Sequence, residues 1–249
     1  MSKSTEQHLR RYAEKYETAD FLKEDPSRFM HLVKGIKNQE AMAFIASSLS
    51  YGKREQFNPK IQMILDWTDG EVDEWIRTGQ YEDHFKKGDM GCFYRLFNND
   101  TMHRFLHAYQ QLLLTYGSLG DYVRLHATDG YTAIAAISRH FNNHGISTII
   151  PQNTQSACKR ICLFLRWMVR NNSPVDLGLW AGFIDRRTLI IPLDTHVLRQ
   201  SARLGLLKSK TATMGTARRL TATLADIFPD DPLKGDFALF GYGINQEIT

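Results

Sequence analysis

Lys159 and Asp194 are the two residues of this sequence whose types and spacing are best suited to chemistry. Lys159 lies in SACKRICLFLRWMVR, and Asp194 follows 35 residues later in PLDTHVLRQSARLGL. An amine that loses its proton is a nucleophile, and a carboxylate can take up that proton or stabilise positive charge nearby. Each residue alone also has a structural interpretation, the lysine as a surface residue and the aspartate as a helix N-cap.

The segment around Lys159 has the period of an amphipathic helix. At about 100° per residue, one side carries only apolar residues and the other a stripe with three cations. The stripe consists of Lys159, Leu163, Arg166 and Arg170. We therefore expect a helix over 155–170 that buries its apolar side and exposes its cations. Arginines along the same stripe disfavour a further ammonium, which would leave more of the lysine as free amine.

The segment after Asp194 predicts a helix over 195–204. Apolar residues follow the aspartate at helical spacing, and Gly205 supplies a stop signal. The backbone N–H groups and the dipole of such a helix would keep a capping carboxylate ionised at neutral pH. His196 and Arg199 lie in the first turns, where we expect them to be exposed and able to meet a backbone phosphate.

Helical spacing dominates the rest of the chain, which predicts an all-α protein. Strand candidates are poor, and the best of them, 188–191, stops at Pro192, so we interpret it as an extended connection. We expect Asn38 to cap a helix that ends at Leu49, and Asn58-Pro59 to begin the next. The predicted helices are 5–18, a short one after Asp25-Pro26, 38–49, 58–67, 70–77, 101–116, 130–142, 155–170, 195–204, 215–227 and 232–241.

Charge is distributed unevenly although the net charge is only +4. Residues 66–90 contain eight acidic and three basic residues, whereas 153–175 contain four basic and no acidic ones, and 186–219 eight basic and one acidic. This asymmetry favours a part of the molecule that faces a polyanion. An unplanned bias of a solvated surface is the alternative.

Composition indicates a globular protein of the cytoplasm. No apolar run reaches the roughly 18 residues that span a bilayer, and the sequence starts with a polar segment. The three cysteines, Cys92, Cys158 and Cys162, make no disulfide framework, and we expect ordinary buried thiols in a reducing compartment.

Four segments resemble the helix-hairpin-helix DNA glycosylases. PLDTHVLRQSARLGL is similar to the aspartate-bearing segment of that superfamily, and SACKRICLFLRWMVR to its lysine helix in archaeal 8-oxoguanine glycosylases and endonuclease III. GDFALFGYG resembles the closing helix of the archaeal enzymes, which implies that Phe240 stacks on an extruded base. AFIASSLSYGKRE resembles the early helix whose end enters DNA, which makes Tyr51, Lys53 and Arg54 contact candidates. As a whole the chain resembles a bacterial family catalogued only as a domain of unknown function in this superfamily.

The resemblance implies a fold and a reaction. The fold would be an all-α, two-lobed helical bundle over 1–249, with its glycosylase-like core at about 41–66 and 155–243 and its active site in the cleft between lobes. The protein would be a base-excision repair glycosylase with β-lyase activity on damaged bases such as oxidised purines. Lys159 would be the nucleophile and Asp194 its assistant. The partner would be double-stranded DNA with a damaged base, without a membrane or an obligate protein partner, in the bacterial cytoplasm and at the nucleoid when bound.

Two departures from the superfamily pattern alter these expectations. The hairpin before the lysine helix normally carries glycines that bind phosphate, but IIPQNTQSACK has none. DNA binding would then use side chains, namely those of Asn153, Thr154, Ser156, Arg160, Arg166, His196 and Arg199. No cysteine follows Cys162, so no iron–sulfur cluster is expected, and neither a cofactor nor a metal site is predicted.

Two other functions remain open at this stage. A glycosylase-like fold can bind DNA without cutting it, because fold does not imply function. A metal-dependent hydrolase is also conceivable, since His103 and His107, like His140 and His144, stand four residues apart and share a helical face. Neither pair has the glutamate of an HExxH motif.

Overall fold

The structure, a computed structural model, describes residues 3–247, and over these residues it is mostly helical, as the sequence predicts. The helices are α1 (Lys3–Tyr16), α2 (Arg28–His31), α3 (Ile36–Leu49), α4 (Arg54–Thr68), α5 (Val72–Arg77), α6 (Asn99–Tyr116), α7 (Leu119–His126), α8 (Gly130–Asn143), α9 (Lys159–Val169), α10 (Thr195–Arg203), α11 (Met214–Ile227) and α12 (Lys234–Glu247). Strands β1 (Cys92–Tyr94) and β2 (Phe97–Asn98) form an antiparallel hairpin. In this described part of the chain, each helix is too short or too polar to cross a membrane.

Two predicted helix starts are wrong. Asn58-Pro59 does not begin a helix, because α4 already starts at Arg54 with Lys53 as its N-cap, and Pro59 lies inside it. The Asn58 side chain instead donates to the backbone carbonyl of Glu24. Asn38 does not cap its own helix either, since α3 follows an N-cap at Gly35. The two errors have the same cause. An asparagine next to a helical pattern predicts a helix cap, but the sequence does not show whether its side chain bonds to the adjacent helix or to a distant segment.

Long-range capping explains what Asn38 does. Its Oδ1 accepts a hydrogen bond of 2.9 Å from the backbone N–H of Asp73, in the first turn of α5. Two residues later, the buried carboxylate of Glu40 accepts from the N–H groups of Leu119 and Gly120, at 2.8 and 3.1 Å. Helix starts leave N–H groups without intrahelical acceptors. Helix α3 therefore supplies acceptors to the starts of both α5 and α7.

The chain divides into two compact units. Unit 1 comprises Met1–Lys23, Asp129–Tyr131 and Thr154–Thr249, and unit 2 comprises Glu24–Thr128 and Thr132–Asn153. Unit 1 thus holds α1 and α9 to α12, and unit 2 holds α2 to α7, the hairpin and most of α8. No local composition marks the points at which the chain passes from one unit to the other, which is why the sequence showed no boundary.

Glycines let α12 pack closely in unit 1. A Cβ on Gly241 would collide with the ring of Tyr16 in α1, and one on Gly235 would lie 2.5 Å from a methyl group of Leu224 in α11. A Cβ on Gly243 would lie 2.5 Å from the imidazole of His196 in α10. Glycine costs a helix interior about 1 kcal/mol relative to alanine. Here the missing side chains allow α1, α10 and α11 to approach α12 closely.

The core of unit 2 is built around α3. Its residues from Glu40 to Leu49 are buried, and the ring of Phe44 contacts the rings of Phe105, Tyr109 and Phe141 with centroid distances of 4.9 to 5.7 Å. Aromatic pairs at such distances stabilise a core beyond their buried area. The hairpin leads directly into α6, which carries two of these rings.

Candidate functional site

Lys159 is the first residue of α9, four residues later than the predicted start of that helix. The preceding residues are held in other interactions, because Ser156 forms an isolated antiparallel bridge with Thr213 and the N–H of Met214 donates to the carbonyl of Gln155. Cys158, the residue before Lys159, has a left-handed backbone with φ of 47°. The lysine therefore lies at a sharp turn into α9 rather than within the body of the helix.

Asp194 is the N-cap of α10, as its sequence predicts. Its Oδ1 accepts a hydrogen bond of 2.9 Å from the N–H of Val197, and its own backbone is extended with φ of −116°. This is the standard way in which aspartate satisfies one of the free N–H groups at a helix start. The helix it opens ends at Arg203, one residue before the predicted end.

The two residues meet as an ion pair within unit 1. Lys159 Nζ lies 3.0 Å from Asp194 Oδ2, and the side chains are 37% and 32% exposed. The capping bond to Val197 uses Oδ1, so the two oxygens of the carboxylate have separate partners. The cap fixes the carboxylate at the start of α10 and leaves its second oxygen for the lysine. The pair is thus both positioned and reachable from solvent.

Asp194 is ionised throughout the neutral range. Burial acts to raise the pKa of its carboxyl, but the charge of Lys159 and the hydrogen bond from Val197 together outweigh burial and hold the pKa below its ordinary value. The protonated fraction at pH 7 is negligible for such a group. The carboxylate can therefore accept a proton or stabilise a cation.

The exposed cationic stripe predicted for α9 is wrong. Arg166 and Arg170 are 2% and 1% exposed, and Leu163 is also buried. Arg166 pairs with Asp176 and Asp236 in unit 1, which leaves it no surface from which to reach a phosphate. The helical wheel places Arg166 on the side of α9 opposite the apolar residues. In unit 1 this opposite side contacts acidic residues from other parts of the chain.

These acidic residues and the two arginines form a buried charge cluster. Its members are Arg166, Arg170, Glu17, Asp176, Asp231 and Asp236. Arg170 pairs with Glu17 at 2.6 Å, with Asp231 at 2.8 Å and with Asp176. Burial acts to lower the pKa of Arg170, but the carboxylates outweigh it and raise that pKa, so the guanidinium stays charged. The sequence had no signal for this cluster, because its carboxylates come from three separate segments.

Arg199 and His196 are the predicted phosphate contacts next to Asp194. Arg199 is exposed, whereas one ring nitrogen of His196 is buried. His196 Nε2 is buried against Gly243 of α12 and has no hydrogen-bond partner, while Nδ1 lies 3.4 Å from Arg199 Nη2. The expectation that His196 presents its ring to solvent is therefore wrong for Nε2. Arg160, which follows the lysine, is partly exposed.

The segment before α9 contains the three predicted hydroxyl and amide donors. Asn153, the last residue of unit 2, is exposed, and Ser156 is exposed with its hydroxyl 3.6 Å from Cys158 Sγ. Thr154 Oγ1 lies 3.1 Å from the hydroxyl of Tyr131, so this donor is engaged within unit 1. Ser156 and Asn153 are thus the accessible members of the predicted set.

Tyr51, Lys53 and Arg54 lie in unit 2, where α3 ends and α4 begins. Tyr51 is 40% exposed, and the guanidinium of Arg95 from the hairpin lies 4.8 Å from its ring centroid. Lys53 is exposed, whereas Arg54 pairs with the buried Asp25 at 3.0 Å. Arg95 was missed because the two-stranded hairpin that carries it was not predicted.

Phe240 lies in an aromatic cluster of unit 1. Its half-buried ring makes edge contacts with Tyr16 and Phe21, at centroid distances of 5.8 and 5.0 Å. The predicted role in stacking on a base would need the part of the ring that these contacts leave open. Gly243, one turn further along α12, is the residue against which His196 packs.

The cysteines and histidines make no metal centre among residues 3–247, where no three potential ligands lie together. Cys92, Cys158 and Cys162 form no disulfide. Cys158 and Cys162 are buried, and burial raises the pKa of both thiols, so they are poor nucleophiles and poor ligands. Cys92 is exposed, contrary to the expected burial.

The fold and the site define an all-α protein with a solvent-accessible lysine–aspartate pair at the starts of two helices. By sequence, the chain belongs to a protein family of unknown function, DUF2400, whose model matches residues 25–245. Lys159 and Asp194 both lie within the matched range. Searches of curated proteins and of solved structures find no match.

Proposed function

We propose that this protein is a DNA glycosylase with β-lyase activity, of the helix-hairpin-helix type, which removes damaged bases from double-stranded DNA. The observation that carries the proposal is the 3.0 Å contact between Lys159 Nζ and Asp194 Oδ2. The superfamily resemblance pairs these two positions by sequence, and the same two side chains are neighbours in unit 1.

The reaction would begin with a nucleotide extruded from the duplex. The neutral amine of Lys159 attacks C1′ of the sugar, the C1′–N bond to the base breaks, and the base leaves with the bonding electrons and takes up a proton. Nζ then loses a proton, the C1′–O4′ bond breaks as O4′ takes up a proton, and the opened sugar is left with a protonated Schiff base between Nζ and C1′. Removal of a C2′ proton then expels the 3′ phosphate, which is the β-lyase step.

Asp194 suits the assisting role in this scheme. Lys159 must lose a proton before it attacks, and Oδ2 is an ionised acceptor at hydrogen-bond distance. Once the proton has moved on, the same carboxylate would stabilise positive charge on the sugar as the base departs. Because Oδ1 is held by the cap of α10, the carboxylate needs no rearrangement between the two tasks.

DNA would be bound by the exposed members of the predicted set. These are Tyr51 and Lys53 in unit 2, Ser156, Arg160 and Arg199 in unit 1, and Asn153 at the end of unit 2. The burial of Arg166 and the ion pair of Arg54 remove two cations from that set. Phosphate contacts of this kind make affinity fall with salt. Phe240 would stack on the extruded base.

The test is covalent trapping by borohydride on a panel of damaged duplexes that includes 8-oxoguanine opposite each base. Borohydride reduces the Schiff base to a stable amine, so the intact chain is expected to form an adduct with at least one lesion. Lys159→Gln should form none. Lys210→Gln removes an exposed lysine of the same unit and should leave trapping unchanged.

Two results would overturn the proposal. An adduct that persists in Lys159→Gln would exclude this lysine as nucleophile. A chain that binds duplex DNA with strong salt dependence, but forms no adduct and releases no base from any lesion, would be a non-catalytic DNA-binding protein on the same fold.

A further inference from the structure

A cavity of about 510 Å³ in unit 2 gathers nitrogen-bearing side chains far apart in sequence. They are Lys86, Lys87, His103, Arg104, His107 and His144. The cavity also has a buried aromatic ring, Phe85, and a single carboxylate, Glu82. Its surroundings in sequence are acidic, since 66–90 contains eight acidic residues and only three basic ones. Two of those three basic residues line this cavity.

The loop that carries both lysines is fixed in place. Asp100, in the first turn of α6, accepts from the N–H of Gly88 at 2.8 Å and from Arg104 Nε at 2.9 Å. Asp89 accepts from the N–H of Gly91 at 2.8 Å and from Asn99 Nδ2 at 2.8 Å. The bond from Gly91 is the main cause that lowers the pKa of Asp89, and the bond from Gly88 that of Asp100. These carboxylates therefore hold the loop backbone and pair with Arg104, while Lys86 and Lys87 are exposed at the cavity.

Two of the histidines have their Nδ1 atoms committed. His144 Nδ1 lies 2.9 Å from the carbonyl of His140, which can only accept, so Nδ1 carries the proton. His107 Nδ1 lies 3.2 Å from the hydroxyl of Tyr81, and that hydroxyl donates to Gln110 Oε1 at 3.0 Å. Burial raises the pKa of Tyr81 to about 12, so it keeps its proton. In the rings of His107 and His144, Nε2 is therefore the nitrogen left to interact with a ligand.

The charges around this cavity select among anions. Lysine and arginine donate to phosphate oxygens, and an imidazole nitrogen does the same once it is protonated. A phosphomonoester has a second pKa of about 6, so at neutral pH it is mostly a dianion, and neighbouring cations favour that form. A phosphodiester, the group in a DNA backbone, carries a single negative charge. The cavity is also much larger than a phosphate ion needs, and it lies within the volume range of small-molecule sites.

We propose that this cavity binds a small organic phosphomonoester. Lys86 and Lys87 neutralise the phosphate, and Nε2 of His107 and of His144 donates to its oxygens once protonated. The organic part occupies the rest of the cavity. Glu82, whose Oε1 is 3.4 Å from His103 Nε2, accepts from ligand hydroxyls and orients the His103 ring. This site is separate from the reaction proposed for Lys159 and does not depend on it.

Calorimetric titration of the full chain tests the proposal with three probes: inorganic phosphate, 5′-AMP and 3′,5′-cyclic AMP. The monoester 5′-AMP should bind with one site per chain, and cyclic AMP, a diester of the same nucleoside, should not. Lys86→Ala/Lys87→Ala should weaken 5′-AMP binding by about tenfold or more, which corresponds to about 1.4 kcal/mol or more of binding free energy. Lys34→Ala/Lys37→Ala removes two exposed lysines elsewhere in unit 2 and should bind as the wild type does.

Each remaining outcome overturns the proposal. Equal binding of 5′-AMP and cyclic AMP would show that the second negative charge of the monoester is not recognised. Absence of binding by both inorganic phosphate and 5′-AMP at millimolar concentration would remove the phosphate site. If the double lysine variant instead loses affinity for undamaged duplex DNA while no monoester binds, the surface is a contact to a nucleic-acid backbone.

Discussion

The two ends of α9 carry charge pairs of opposite character. At its start, Lys159 and Asp194 are each about one-third exposed, and the carboxylate has one oxygen on a helix cap and one on the lysine. After its last residue, Arg170 is 1% exposed and pairs with three carboxylates. The same helix thus bears a reachable pair at one end and a saturated cluster at the other.

The difference separates a candidate site from a structural element. In a buried ion pair whose charges are all paired, no group is left to bind a ligand. Removal of one partner leaves the other charge buried and unpaired, which destabilises the fold strongly. A partly exposed pair contributes little to stability but can exchange a proton and meet a substrate. Strong effects on stability are therefore expected at Arg170, and strong effects on function at Lys159.

The largest loss of stability should come from Arg170→Met. It leaves the buried Asp176 and Asp231, and the partly exposed Glu17, without their shared cation, which costs about 3–5 kcal/mol of unfolding free energy. Urea unfolding monitored by circular dichroism measures it. Arg187→Met breaks an exposed pair with Asp185 and should change the free energy by less than about 1 kcal/mol. Equal losses in the two variants would refute the distinction.

A smaller loss is expected for Asp194→Ala. It removes the cap of α10 together with the ion pair, and should cost about 1 kcal/mol, with an upper range near 2. Asp194→Asn can still accept from the N–H of Val197 and should recover most of that loss in the same unfolding assay. Thr213→Ala, which removes the uncharged cap of α11, is the matched comparison. An asparagine variant as unstable as the alanine variant would mean that the cap contributes little.

Lys159→Gln should change the free energy of unfolding by less than about 1 kcal/mol, because the pair is about one-third exposed and solvent screens its charges. The cap between Asp194 and Val197 remains in this variant. Melting temperatures of the two chains provide the measurement. A loss as large as that of Arg170→Met would place the lysine among the structural charges instead.

The smallest effect is the pH dependence of the Asp194 contribution. The pKa of Asp194 in the folded chain lies below its ordinary value, so its contribution to stability is full above about pH 4 and is lost as pH falls through the folded value. The stability gap between wild type and Asp194→Asn should stay constant from pH 7 to 5 and shrink below about pH 4. The stability difference between wild type and Thr213→Ala should not shrink in this way, because the threonine cap has no charge to lose. A gap that widens on acidification would contradict the sign.

The sequence predicts most helices because each buries an apolar face with a clear period. It fails where the decisive partner is distant in the chain. Asn38 has the signature of a local cap but bonds to Asp73, and the wheel that exposes Arg166 contains no information about Asp176 or Asp236. The hairpin of β1 and β2 escaped prediction since strands this short have no readable alternation.

The candidate site was predictable in part. The cap at Asp194 follows from local pattern, and its pairing with Lys159 was expected from the superfamily resemblance. The position of Lys159 at the first residue of α9 was not, because the bridge between Ser156 and Thr213 that delays the helix joins segments 57 residues apart. The cavity around Lys86 was likewise hidden, since its members meet only after α6 and the end of α8 fold together.

Mass-spectrometric mapping of the borohydride-trapped adduct tests the central claim most directly. Wild-type chain, trapped on a damaged duplex and digested, should carry the reduced sugar remnant on the peptide that contains Lys159, and Asp194→Asn should give the same linkage in much lower yield. A remnant on a different lysine, or an Asp194→Asn yield equal to that of the wild type, would contradict the assignment of the pair as the reactive site.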